Sequence, residues 1–316
     1  MRVLVTGADG FVGGWVVDAL VREGHEVAGT YHCEAEGPPG SRFGRGGPQV
    51  WIPLDLTVPG TITALPLGET DAVLHLAAVS SVREAGADRA RAWEVNLLGT
   101  VRLLAALEEA APLSRLVYVS TGEVYGALPP GSEPRARTED DPVRPCSVYA
   151  ATKVSAEVAV LESCRRSGLA ALIARPFPHA GPGQDPAFVV PAFARRLRAA
   201  QQAGQAEVRV GNLDPVRDLL DVRDVARAYV ALLTRGIPGS VYNVARGSGI
   251  SLSALFVELA RLTGVEARPV PDPALLRAVD IAHLVGDSGV LHRDTGWTPT
   301  TPLTQTLQDV VDAQTD

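Results

Sequence analysis

The stretch TGADGFVGG, residues 6–14, follows the apolar run MRVLV and places glycines at positions 7, 10, 13 and 14. Glycine at the start of a helix is entropically costly, so a cluster of glycines directly after an apolar run needs a positive reason. A tight turn that brings backbone N–H groups towards a phosphate is one such reason, because the N-terminus of a helix attracts anions. The stretch therefore predicts a strand, a phosphate-binding turn and a helix.

The three glycines that matter most are spaced Gly7-x-x-Gly10-x-x-Gly13, one residue wider at the first gap than the GxGxxG dinucleotide fingerprint. Gly7 permits the tight turn, Gly10 lets the backbone approach a pyrophosphate, and Gly13 lets helix and strand pack closely. Phe11 and Val12 open the helix and are predicted to line the same site. The pattern favours dinucleotide binding, and its alternative is a glycine-rich turn that binds no ligand.

Apolar runs alternate with helix-like segments along the first half of the chain: RVLV, HEVAGTY, DAVLHLA, RLVYVS and LAALIARP. Strands that are buried on both faces are continuously apolar, and parallel strands are joined by helical crossovers. The pattern predicts an α/β fold with a Rossmann-like, doubly wound parallel sheet.

The alternation breaks after Pro176, where a proline-rich stretch precedes a helix-like segment and a strand; a helix at 222–235 and the strand SVYNVA come later. We predict a Rossmann domain of residues 1–175 with a returning segment at about 212–246. Residues 176–211 and 247–316 are predicted to form a smaller C-terminal lobe. The active site is expected between the two.

Composition limits the possible partners and the compartment. The chain has 316 residues and a net charge of −7, which argues against a surface that binds nucleic acid. No apolar run approaches the roughly 20 residues of a membrane span, and the N-terminal run is too short for a signal peptide. The 3 cysteines suggest neither a disulfide framework nor a metal site. We expect a cytoplasmic protein without membrane contact or bound metal.

The end of the second strand indicates which nicotinamide cofactor binds. An acidic residue there would hydrogen-bond the ribose 2′-OH, but the strand ends AGTYHC with Thr30 and no acid before Glu34. This favours NADP(H) and leaves NAD(H) possible, with a phosphate clamp available only from Arg42 or Arg45. In the stretch WIPLDL, Asp55 and Leu56 offer a carboxylate and an apolar wall to the adenine, although Asp55 is equally explained as a helix cap.

The stretch SVYAATKVSAE carries the catalytic hypothesis. Tyr149 and Lys153 lie four residues apart, so on a helix they share a face, where a lysine cation stabilises a tyrosinate and lowers the pKa of the phenol towards neutrality. Thr121 follows a predicted strand in the stretch STGEVYG and would polarise the same substrate oxygen. A surface Tyr–Lys pair is the ordinary alternative, but the glycine turn and the Ser-Thr pair at a strand end argue against it.

These motifs together resemble the extended short-chain dehydrogenase/reductase family of nucleotide-sugar enzymes. The resemblance spans nearly the whole chain, through TGADGFVG, HLAA, WEVNLLGT, STGEVYG, the Tyr149/Lys153 pair and RPFPHAGPGQ. It implies that Asn96 supports the active-site helix and the proton path, and that Lys153 also binds the nicotinamide ribose. It further implies that four more residues contact the cofactor: Leu76, Ala77, Ala78 and Pro176.

Within the family, the likeness is to reductases that convert GDP-4-keto-6-deoxymannose to GDP-rhamnose. It rests on FVVPAFARR, on VGNLDPVRDLLDVRDVARAY and on VGDSGVLHRDTGWTPTTPLTQTL. The resemblance implies that the C-terminal lobe binds a nucleotide-diphosphate sugar, with Arg217 and Arg277 on the diphosphate, because guanidinium groups pair bidentately with phosphate. The other predicted substrate contacts are Ser80, Glu123, His179 and Val189.

Three alternatives stay open. A GDP-mannose 4,6-dehydratase would use Glu123 as a base, but Gly122 stands where many dehydratases have an acidic residue. A nucleotide-sugar 4-epimerase is also open, since Pro178 replaces the family asparagine and Leu219 stands where an aromatic residue commonly follows the Arg-Asp pair. A dinucleotide-binding sensor without activity is disfavoured, because Thr121, Tyr149 and Lys153 are all present.

Two helix-like segments, at about 89–110 and 149–167, have apolar faces wide enough for both a core and a partner. The family resemblance implies that the two helices of each subunit form a four-helix interface. We therefore expect a homodimer.

Overall fold

A computed structural model of the chain describes residues 1–32, 47–276 and 280–314. These described residues form fourteen strands: β1 (Arg2–Thr6), β2 (Glu26–Tyr31), β3 (Val50–Pro53), β4 (Ala72–His75), β5 (Arg115–Val119), β6 (Ala170–Pro176), β7 (His179–Ala180), β8 (Glu207–Val210), β9 (Val216–Asp218), β10 (Leu220–Asp221), β11 (Val241–Val244), β12 (Gly249–Ser251), β13 (Arg268–Pro271) and β14 (His283–Leu284).

Seven strands form one parallel sheet in the order β11-β6-β5-β4-β1-β2-β3. The order runs outwards from β1 in both directions, so the predicted doubly wound sheet is confirmed. Four of its inner strands, β1, β4, β5 and β6, are buried along nearly their whole length, which explains their continuous apolar sequence. The topological switch lies between β1 and β4, where a ligand is expected at the carboxyl ends of the strands.

Helices cover both faces of this sheet. The described residues contain α1 (Phe11–Arg22), α2 (Pro59–Thr63), α3 (Val82–Ala87), α4 (Arg89–Trp93), α5 (Thr100–Ala110), α6 (Val148–Ser167), α7 (Val189–Gln202), α8 (Val222–Arg235), α9 (Leu252–Thr263), α10 (Gly289–Thr295) and α11 (Leu303–Asp312). The helices α1 and α8 share one apolar core with the sheet, and α5 and α6 share the other. The predicted helix at 89–110 contains a π-helical segment, Glu94–Gly99, between α4 and α5.

A separate core holds the C-terminal lobe together. It is built from α7, α9 and α11, with Phe193 and Phe256 in edge-to-face contact at 5.5 Å between ring centroids. Two small sheets, β12-β9-β14 and β13-β8, complete the lobe. Of the segment 212–246, which was predicted to return to the large sheet, β11 joins that sheet and α8 packs on it, whereas β9 pairs with β12 and β14 in a small sheet. The helix α10 also packs against α8 and β11, and the division of the chain into two units stays a prediction.

In the part of the chain that the structure describes, no helix is both long and apolar enough to cross a membrane. Within the same residues, no group of three histidine, cysteine or acidic side chains is arranged to hold a metal ion.

Candidate active site

The glycine turn joins β1 to α1 at the topological switch. Gly7 has a φ of 70°, and a Cβ on it would lie 2.9 Å from the backbone nitrogen of Ala77. A Cβ on Gly13 would lie 2.2 Å from the carbonyl oxygen of Gly7, so this glycine lets α1 pack against the turn. Gly10 is the N-cap of α1 and makes no side-chain cap. The turn therefore has the shape of a phosphate-binding cradle, with helix N–H groups available to an anion.

The residues predicted to surround the adenosine lie at the ends of β2 and β3. The hydroxyl of Thr30 is buried and accepts the backbone N–H of Gly7 at 3.0 Å, which fixes the turn against β2. The Oδ1 atom of Asp55 accepts the N–H and the hydroxyl of Thr57 at 2.8 and 2.7 Å, and bonding to Thr57 lowers the pKa of Asp55 even though burial opposes it. Asp55 thus closes the turn that precedes α2, and Leu56 is buried beside it. Arg42 and Arg45 lie outside the described residues.

Residues 76–78 follow β4 on the other side of the switch, and a buried hydrogen-bond network holds them. The Thr6 hydroxyl accepts the N–H groups of Leu76 and Ala77, each at 3.2 Å, and bonds His75 at 2.7 Å. Burial lowers the pKa of His75 to about 3, so its ring is neutral. This network aligns the backbone of the predicted cofactor-lining segment.

Asn96 lies in the π-helical segment and is 1% exposed. Its side chain pairs with both backbone groups of Val79, at 2.8 and 3.1 Å, and donates to the Thr152 hydroxyl at 3.0 Å. Asn96 therefore connects the loop after β4 to α6. That Asn96 supports the active-site helix stays a prediction.

Thr121 and Tyr149 meet at the carboxyl edge of the sheet. Thr121 follows β5 and is 7% exposed; its hydroxyl accepts the backbone N–H of Glu123 at 3.2 Å and lies beside the phenol of Tyr149, near the start of α6. Burial raises the pKa of Tyr149, and the nearby negative charge of Glu123 raises it further, while the neighbouring Thr121 hydroxyl opposes both. The expected lowering of this pKa is therefore not found, because burial and Glu123 act against ionisation. Tyr149 is protonated at neutral pH and can donate a proton.

Lys153 lies one turn further along α6 and is 3% exposed. Its ammonium group sits 4.4 Å from the centroid of the Tyr118 ring. Burial lowers the pKa of Lys153 to about 7, and the charge of Glu157 counteracts part of that shift. Lys153, rather than Tyr149, is the group of this pair that titrates near neutrality.

A buried ion pair between Glu157 and Arg175 lies next to Lys153 on α6. Glu157 follows Lys153 by one further turn and is 4% exposed; it accepts two hydrogen bonds from Arg175, at 3.0 and 2.7 Å. It also accepts the hydroxyl of Ser120, while Arg175 donates to the hydroxyl of Tyr125 at 3.0 Å. The pair ties α6 to the ends of β5 and β6, so the position of Lys153 is fixed by two strands.

Glu123 and His179 lie on the predicted substrate side. His179 stacks on Phe11, with ring centroids 6.3 Å apart, and bonds the carbonyl oxygen of Phe177 at 3.0 Å. Glu123 is half-buried beside Tyr149. A Cβ at Gly122 would lie 3.1 Å from the ring of Phe177, so a larger side chain has little room there. Pro176, the predicted cofactor contact, ends β6 directly before this ring.

The remaining predicted substrate contacts lie on separate elements of the chain. Ser80 is exposed in the loop before α3, and Val189 is the first residue of α7. The Arg217 guanidinium donates to Asp280 at 2.6 Å and to the carbonyl oxygen of Ile281 at 2.6 Å, so it is anchored to the lobe. Arg277, the other predicted diphosphate ligand, lies outside the described residues.

Sequence reasoning missed several residues that organise this site: Thr6, His75, Tyr118, Glu157 and Arg175. Glu157 had a usable signal, since it lies four residues after Lys153 on the same helix. The others come together only through the sheet, and no local pattern reveals them.

The sequence and the fold are similar to those of known proteins. A model of the NAD dependent epimerase/dehydratase family matches residues 3–245. The chain is 38% identical over 258 residues to a GDP-6-deoxy-D-mannose reductase of Pseudomonas aeruginosa, covering 81% of this chain and 84% of that protein. It is 31% identical over 318 residues to a UDP-glucose 4-epimerase of Streptomyces lividans, covering 94% and 91%. The solved structure of RMD from Pseudomonas aeruginosa complexed with NADPH matches with a TM-score of 0.81 at 34% identity, covering 99% and 98%.

Proposed function

The chain belongs to the NAD dependent epimerase/dehydratase family, and from this membership we propose that it is an NAD(P)-dependent reductase of a nucleotide-linked 4-keto-6-deoxy sugar. The substrate is GDP-4-keto-6-deoxymannose and the product GDP-rhamnose. The relative that is 38% identical, a GDP-6-deoxy-D-mannose reductase, supports this substrate. The observation that carries the reaction type is the position of Tyr149, with its phenol protonated, beside Thr121 at the carboxyl edge of the sheet that also carries the glycine turn.

The cofactor is NADP(H), with NAD(H) possible. The similar solved structure of RMD from Pseudomonas aeruginosa is a complex with NADPH. In this chain, no acidic residue follows Glu26 on β2. The turn fits a dinucleotide for two reasons. Gly7 and Gly13 carry no side chain at positions where a Cβ would collide with neighbouring backbone atoms, and Gly10 makes no side-chain cap, so the first N–H groups of α1 can bind a phosphate. When bound, the reduced nicotinamide supplies the hydride for the C4 carbon of the sugar.

The side chains of the site supply orientation and a proton. Tyr149 donates its phenolic proton to the C4 oxygen, because burial keeps the phenol protonated. Thr121, which lies beside Tyr149, shares the same oxygen. The Lys153 cation stabilises the phenolate that the transfer leaves behind, while Asn96 keeps the start of α6 in register with the loop after β4.

The proposal predicts opposite results for two substrates. With GDP-4-keto-6-deoxymannose and NADPH, we expect the absorbance of the reduced cofactor to fall and the sugar to gain two hydrogens. With GDP-mannose alone, we expect no reaction, since Gly122 supplies no acid for loss of water and the Phe177 ring occupies that space. Dehydration of GDP-mannose, or inversion at C4 without cofactor turnover, would contradict the proposal.

The pH dependence of kcat/KM should reflect the ionisation of Lys153. Since its pKa is about 7, kcat/KM should fall as pH rises through neutrality and the cation is lost. Glu157→Gln removes the charge that holds this pKa up, so we expect the falling limb to move to lower pH by about one unit. The control is Glu162→Gln, on the same helix but paired with Arg166 at the surface. An unchanged profile in Glu157→Gln would contradict the role given to Lys153.

We further propose a cytoplasmic homodimer that pairs through α5, α6 and the π-helical segment before α5. Three apolar side chains on this surface are exposed: Leu98 at 47%, Val101 at 41% and Val158 at 65%. An unpartnered apolar surface of this kind is typical of an interface. Val158→Glu should therefore shift the sedimentation coefficient to that of a monomer. Val257→Glu is the control, because Val257 is 64% exposed on α9, away from this surface. A dimer in both variants would contradict this interface.

A further inference from the structure

A carboxylate lies at the end of β2 although β2 does not carry one there. The Oδ2 atom of Asp9, in the glycine turn, accepts the backbone N–H of His32 at 3.2 Å. His32 is the first residue after β2, and no residue from Val27 to His32 is acidic. Asp9 is half-buried, and its other oxygen, Oδ1, accepts no hydrogen bond from the described residues. The turn therefore places a negative charge where the strand lacks one.

The position matters because the adenosine ribose of a dinucleotide lies at the end of the second strand, beside the glycine turn. An ionised carboxylate only accepts hydrogen bonds, so it suits the ribose 2′-OH of NADH. The 2′-phosphate of NADPH carries negative charge at the same place. A carboxylate within a few ångströms of that phosphate repels it, and the repulsion is partly screened by water and salt.

We propose that Asp9 is a cofactor-selectivity residue, whose carboxylate binds the ribose 2′-OH of NADH and weakens the binding of the NADPH 2′-phosphate. This inference rests on the proposed function, in which the glycine turn binds a nicotinamide dinucleotide. Asp9 thus limits the preference for NADPH and keeps NADH usable. The absence of an acid at the end of β2 and the presence of Asp9 act in opposite directions on the same ribose.

The substitution Asp9→Asn separates charge from structure. Asparagine keeps an oxygen that accepts the His32 N–H, but it carries no charge. We expect the Kd of NADPH to fall about tenfold in this variant, while the Kd of NADH stays the same or rises. The measurement is a calorimetric titration of each cofactor into the full-length protein, so it needs no turnover. The difference in NADPH affinity between Asp9→Asn and wild type should shrink as ionic strength is raised, because salt screens the repulsion between Asp9 and the 2′-phosphate in wild type.

The matched control is Asp71→Asn. Asp71 also accepts a backbone N–H with its Oδ2 atom, from Arg2 at 2.7 Å, but at the opposite, amino-terminal end of β1. This variant should leave the ratio of the two dissociation constants unchanged. A second variant, Asp9→Ala, removes both the charge and the bond to His32.

The outcomes are distinct. A tighter Kd for NADPH in Asp9→Asn, with the ratio unchanged in Asp71→Asn, supports the inference. If Asp9→Ala weakened the binding of NADH and NADPH equally and Asp9→Asn changed neither Kd, the inference would be overturned, since Asp9 would then only stabilise the turn. A wild-type protein that binds neither NADH nor NADPH would overturn the proposed function and this inference with it, whereas binding with an unchanged ratio overturns the inference alone.

Discussion

Tyr149→Phe should lower kcat by about a thousandfold, because it removes the proton donor and leaves the rest of the site in place. The phenol lies beside Thr121, and its raised pKa keeps the hydroxyl in the acid form that a reduction needs. The aromatic ring is retained, so α6 and its contacts should not change. Steady-state kinetics with the keto sugar measures the loss, and a titration with NADPH should give a Kd within about twofold of wild type.

Tyr242→Phe is the control for this variant. Tyr242 is a buried tyrosine on β11, and the change removes its hydroxyl, which accepts the Ile237 N–H at 2.9 Å and donates to Asp294 of α10 at 3.0 Å. This change should lower stability but keep kcat. If Tyr149→Phe kept most of the wild-type turnover, the proton would have to come from another group, and the mechanism proposed for Tyr149 would be wrong.

Gly13→Ala should have the largest effect on the cofactor site. The added methyl group would lie 2.2 Å from the Gly7 carbonyl oxygen and 2.7 Å from the Ala8 Cα. Both are backbone atoms, so helix or turn must move. We expect the free energy of unfolding to fall by about 3 kcal/mol, the upper range for an overpacked site. Since the displaced turn loses its cradle, the Kd of NADPH should rise by at least about tenfold.

Gly60→Ala provides the comparison. Gly60 lies in α2, and a Cβ there would meet no atom within 4 Å. Alanine is favoured over glycine in a helix by about 1 kcal/mol, so this variant should be as stable as wild type or slightly more stable. Chemical denaturation and cofactor titration check both variants. Wild-type stability and NADPH affinity in Gly13→Ala would contradict the steric argument.

Much of the fold could be predicted because its signals are local. The buried inner strands are apolar on both faces, and the runs around Val3, Val73 and Val117 stand out in the sequence for that reason. The strand β3 was missed, since it is short and only half-buried. The small strands of the lobe were also mostly missed, because two or three residues carry no periodic pattern.

The candidate site could be predicted only in part for a similar reason. Gly7, Gly13, Tyr149 and Lys153 belong to motifs within one turn or one helix, so their spacing, taken together, makes them candidates. The pair of Glu157 and Arg175 spans 18 residues along the chain, and Asp9 reaches His32 across 23. Such contacts depend on how strands are ordered in the sheet. The direction of the Tyr149 pKa shift was also predicted wrongly, because helical spacing does not show how deeply a side chain is buried.

The most direct test of the reaction follows the hydride. The protein is incubated with GDP-4-keto-6-deoxymannose and NADPH that carries deuterium at the reactive nicotinamide carbon, and the product is examined by mass spectrometry and NMR. The account predicts one deuterium at C4 of the product sugar for each NADPH oxidised. A product with no deuterium at C4, or turnover without net oxidation of NADPH, would contradict it.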